Sequence, residues 1–113
     1  MNRRPHDHLP PLSPEQVRAL LPTLDRITRR AAEAVELRLD RLGKLPGAGN
    51  LDTIDELVHA WFDDVRRLGG VARGLWMVEF RSEGGWFGWV RGEKGVGFYR
   101  PIGTPPKARS RLH

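Results

Sequence analysis

The hydrophobic period of this chain changes once, at Gly69-Gly70, from a repeat of three and four residues to a repeat of two, and that change divides it into a helical half and a stranded half. Before it, Val17, Leu20, Leu21, Leu24, Ile27, Ala31, Ala34, Val35 and Leu42 fall on one stripe, as do Leu51, Ile54, Val58, Trp61, Val65 and Leu68, with Leu57 and Phe62 widening the second. After it, Leu75–Phe80, Trp86–Arg91 and Val96–Tyr99 alternate, separated by turns at Arg81–Gly85 and Gly92–Gly95. The expected fold is α+β: an antiparallel helical hairpin packed on a three-stranded antiparallel meander, because three strands need a covering layer.

The ends of the elements carry matching signals. Ser13-Pro14-Glu15-Gln16 is a capping box with Pro at the first helical position, and Leu12 is placed to staple against Val17. Pro22 removes a backbone donor inside the first helix, so a kink or a break into two helices is expected there. Gly43 is expected to end the first helix, with Gly43–Gly49 as the connection. Asn50, Asp52, Thr53, Asp55 and Glu56 suit the start of the second helix, Arg66 and Arg67 its last turn, and Gly69 a left-handed stop. Residues 13–100 then form one domain, residues 1–12 a flexible Pro-rich lead-in, and residues 101–113 a basic Pro-containing tail.

Composition narrows the chemistry. With no Cys in 113 residues, disulfides, thiolate nucleophiles, iron–sulfur clusters and Cys-based zinc sites are excluded. No apolar run suits a signal peptide or a membrane span, so a cytoplasmic protein without a membrane partner is expected. The net charge is +5, of which residues 1–12 and 101–113 hold +4. Residues 13–44 sum to +2 and residues 50–70 to −3, opposite signs that favour pairing of the two helices.

The opening Leu12-Ser13-Pro14-Glu15-Gln16-Val17-Arg18-Ala19-Leu20-Leu21-Pro22, together with Gly74-Leu75 through Phe80, Gly88-Trp89-Val90-Arg91-Gly92-Glu93 and Phe98-Tyr99, resembles the bacterial and archaeal family catalogued as domain of unknown function 2203. The likeness spans most of residues 12–103. It is similar in the capped helix ending Leu-Leu-Pro, in the strand, in a Cys-Trp-x-x-Gly-Glu segment and in an aromatic-Trp-His ending. Gly88 stands where that family has Cys and Arg100 where it has His. The resemblance implies that such a Cys, Glu and His would be metal ligands; Glu93 alone remains here, and no metal or cofactor is expected. The resemblance implies a fold more than an activity.

Trp76, Phe80, Trp86, Phe87, Trp89, Phe98 and Tyr99 interleave with Arg73, Arg81, Arg91, Lys94 and Arg100, a pattern that can stack and track single-stranded nucleic acid, or can serve as core and cross-strand packing. Gly92–Gly95 reads as a hairpin turn, Asp55, His59 and Asp63 as a solvated helix face, and His6-Asp7-His8 as part of the lead-in. Ser13 reads as a cap, Ser82 as a turn residue and Ser110 as a tail residue rather than as a nucleophile beside a His, which disfavours an enzyme. The leading expectation is an interaction protein that binds RNA or a ribonucleoprotein through Arg91, Arg100, Trp89, Tyr99, Lys107, Arg109 and Arg111, and that forms a homodimer. The alternative is a small-molecule or metal-binding domain, enzymatic or not, with a site near Trp89, Glu93 and Arg100.

Overall fold

The computed structural model describes residues 9–44 and 48–112. The lead-in as far as residue 8, with His6-Asp7-His8, and the middle of the helix connection lie outside the described residues. The class is α+β, two helices and a five-stranded antiparallel sheet.

Helix α1 runs Pro14–Lys44. Its capping box is formed in both directions: the Gln16 amide donates to Ser13 Oγ at 3.1 Å, and the Ser13 amide donates to Gln16 Oε1 at 2.8 Å. Val17, Leu21, Leu24, Thr28, Ala32 and Val35 are buried along one stripe. Of the kink or break expected at Pro22, a break into two helices is excluded, since one helix continues through it. Leu21 and Leu24, buried on either side, hold the turn in place against the lost donor.

Helix α2 spans Ala48–Arg67, so it starts before the acidic residues expected to open it, and the connection is shorter than Gly43–Gly49. Within its first turns the Thr53 hydroxyl donates to the Gly49 carbonyl at 2.8 Å. Gly69 ends it with φ 91°, a conformation that a side chain resists, and its amide donates to the Arg66 carbonyl at 2.9 Å. The two helices pack together, and buried Trp61 Nε1 donates to Thr28 Oγ1 at 2.9 Å.

The strands are β1 Gly70–Gly74, β2 Met77–Arg81, β3 Gly85–Val90, β4 Phe98–Pro101 and β5 Ser110–Arg111, each antiparallel to its sequence neighbours. The three-stranded expectation is thus corrected at both edges. β1 escapes the period-two reading because Gly-Val-Ala-Arg-Gly offers one large apolar residue, and it is made a strand by pairing Gly70 with Phe80 and Ala72 with Val78. Leu75 and Trp76, expected in a strand, form the turn after it. The stretch expected as a tail folds back: the short 3-10 helix Pro106–Ala108 leads to β5, which pairs Phe98 with Arg111 and Tyr99 with Ser110.

Val17, Leu21, Leu24, Trp61 and Val65 of the helices meet Val78, Phe80 and Trp89 of the sheet in one core, each burial contributing about 1.5–3 kcal/mol. Leu12 packs on this core and its amide donates to the Arg81 carbonyl at 2.7 Å, so residues 9–12 are not a free lead-in at their end. Gly85 lets β3 approach β4 closely, since a Cβ there would stand 2.2 Å from the Arg100 carbonyl oxygen. Among the described residues no helix is long and apolar enough to cross a membrane.

Candidate nucleic-acid interface

Alternation along the strands sends Val78, Phe80, Phe87, Trp89 and Tyr99 toward the helices and leaves Glu79, Arg81, Trp86, Phe98 and Arg100 on the other face. That outer face is organised around one acid. Glu79 is 1% exposed, opposite Gly88, whose missing side chain leaves room above the strand. Arg100, 3% exposed, reaches across from β4 and donates from Nε to Glu79 Oε2 at 2.7 Å and from Nη2 to Oε1 at 2.8 Å. Arg73 adds a bond from Nε to Oε1 at 2.7 Å. Burial alone would push the Glu79 carboxyl up; hydrogen bonds from Arg100 and then Arg73, with their charges, outweigh it and hold the group below its ordinary 4.5.

Guanidinium groups cover the aromatic rings on this face. Arg73, Arg100 and Arg81 lie 4.9, 5.2 and 5.8 Å from the Trp86 ring centre, and Arg109 and Arg111 lie 5.1 and 5.6 Å from that of Phe98. Arg109 also meets the Met77 sulfur, and Arg100 donates to the Thr104 carbonyl. The segment expected to be a tail therefore delivers two of the five arginines to the sheet.

The residues expected to act together are divided by the pleat. Arg100, Arg109 and Arg111 are on the outer face, and Lys107 is exposed in the 3-10 helix. Trp89 faces the helices, 1% exposed, with its Nε1 donating to the Glu93 carbonyl at 3.0 Å. Tyr99 also faces inward, its ring centre 5.6 Å from that of Phe87. Arg91 sits beyond the end of β3 and pairs with Glu36 of α1. The Trp89, Glu93 and Arg100 site is likewise not assembled: Trp89 and Glu93 line a cleft of about 340 Å³ with Arg18, Pro22, Asp25 and Lys94, and Arg100 is on the opposite face.

On α2, His59 Nδ1 donates to the Asp55 carbonyl at 2.8 Å and Asp63 is bound by Arg66 at 2.8 Å. Among the described residues no group of three or more His, Asp and Glu is placed to hold a metal ion. Sequence reasoning named Arg73, Arg81, Trp86 and Phe98 as part of a pattern but missed Glu79 as its centre. Alternation with Val78 and Phe80 puts Glu79 on the outer face, and nothing local in the sequence marks that position as buried.

No family model matches this chain, and comparison with the curated proteins and with the solved structures finds no match to either.

Proposed function

We propose that this protein binds RNA through the outer face of its sheet. The observation that carries the reading is the charge of that face: Arg73, Arg81, Arg100, Arg109 and Arg111 gather on Trp86 and Phe98 around the Glu79 carboxylate. An exposed guanidinium beside a ring, as Arg111 is beside Phe98, can donate its N–H groups to phosphate and offer its plane to an unstacked base. Glu79 with Arg100 and Arg73 is the fixed support, while Arg111 and Lys107 are exposed and Arg81 and Arg109 half-buried. On the resemblance to the domain of unknown function 2203 family, the Cys and His positions fall at Gly88 and Arg100, both beside Glu79, where this chain has an ion pair instead.

The test is fluorescence anisotropy with a labelled uridine-rich RNA of about 20 nucleotides, titrated at several salt concentrations. Three to four phosphate contacts give a slope of log affinity on log salt of about −2 to −3. Arg111→Gln should shallow that slope by about 0.7. Arg91→Gln, at a residue held by Glu36, should leave affinity unchanged. Absence of binding at low salt, or equal effects of the two substitutions, would refute the reading.

A further inference from the structure

Both helical stripes run past the sheet that covers them. The buried line of α1 through Thr28, Ala32 and Val35 continues in register to Leu39, which is 51% exposed, and to half-buried Leu42. The line of α2 does the same toward its start: Trp61 and Val65 are buried, Ile54 and Val58 half-buried, and Leu51 is 57% exposed. The sheet reaches α1 at the Arg91–Glu36 pair and α2 at Trp61, whose ring centre is 4.9 Å from that of Trp76. A single exposed Leu is ordinary, but two uncovered stripes on neighbouring helices form one apolar end.

The charges at this end separate by helix. In α1 it carries Arg38, Arg41 and Lys44 against Asp40; in α2 it carries Asp52, Asp55 and Glu56 and no Lys or Arg before Arg66. A surface with one basic and one acidic half complements itself when a two-fold axis sets each half on the other. A partner of one sign would match only half of it.

We infer that this end of the hairpin is a self-association surface, joining a second copy of the chain in an antiparallel four-helix bundle with Leu39, Leu42, Leu51 and Ile54 in its seam. The basic tip of α1 then lies along the acidic start of α2 in the second copy, and each copy covers the stripe that the other's sheet does not reach. The surface uses none of the arginines of the outer sheet face, so its test needs no RNA.

The experiment is light scattering and sedimentation of two charge-reversed chains, Arg38→Glu/Arg41→Glu and Asp55→Lys/Glu56→Lys, alone and mixed. The native chain should sediment at twice the mass of one chain at about 100 µM. Each reversed chain alone sets like charges together and should be monomeric, and the mixture should recover a dimer containing one of each. Leu39→Gln, at a side chain half exposed in one chain, should keep native circular dichroism and weaken the dimer about tenfold or more. A monomeric native chain at that concentration, a dimer that survives both reversals, or a Leu39→Gln chain with native affinity would overturn the inference.

Discussion

Glu79→Gln tests the support of the arginine face, because it changes a charge without changing a shape. The native carboxylate accepts bonds from Arg100 and Arg73 at 2.7–2.8 Å, in a site where Glu79 and Arg100 are 1% and 3% exposed. Removing one member of such a buried pair leaves the other charge uncompensated, at about 3–5 kcal/mol. Gln keeps one acceptor oxygen and the Arg73 side chain is 23% exposed, so the expected loss is near the lower figure, about 3 kcal/mol. For a domain stable by about 5–15 kcal/mol this is a large fraction, and at about 4 °C per kcal/mol it lowers the Tm by about 12 °C. Urea unfolding followed by tryptophan fluorescence and by circular dichroism gives the free energy. The double substitution Glu79→Leu/Arg100→Met removes both charges and should recover most of the loss. A cost of less than about 1 kcal/mol for Glu79→Gln, or a double variant as unstable as the two single changes summed, would refute the assignment of Glu79 and Arg100 as a coupled support.

The same pair sets a response to acid. The Glu79 carboxyl lies below its ordinary 4.5 when folded and near it when unfolded, so the unfolded chain binds more protons between the two values. Its contribution is therefore full above about pH 4.5 and is lost as pH falls through the lowered folded value; Tm measured from pH 7 to pH 3 should drop less steeply in Glu79→Gln. In the core, Thr28→Val keeps the volume but leaves Trp61 Nε1 buried without its acceptor at 2.9 Å, and should cost about 1–3 kcal/mol in urea unfolding.

Much of the helical layer was legible because its signals are local. The Ser13/Gln16 capping box, the buried line from Val17 to Val35 and the stop at Gly69 each depend on residues within a few positions of one another. Pro22 does not break the helix because the local penalty is outweighed by burial of Leu21 and Leu24, which is a property of the tertiary core. β1 and β5 were illegible for the opposite reason: Gly-rich or two residues long, they owe their strand character to a neighbour already in place. For the site, sequence identified the arginines and aromatics but not their grouping. Whether Arg100 joins Trp89 or Glu79 depends on cross-strand register, and the register pairs Trp86 with Arg100 and puts Trp89 on the reverse face.

The sequential order of the sheet, β1-β2-β3-β4-β5, bears on how the molecule assembles. Each strand meets only its neighbours in the chain, so the sheet grows by hairpins without closing a long loop, and the two helices likewise meet across a short connection. Long sequence separations arise where the layers dock, as in the Arg91–Glu36 pair, the Leu12–Arg81 bond and the core contacts of Val17 with the sheet. The entropy of loop closure is thus concentrated where the helical layer meets the sheet, in the contacts that complete the core.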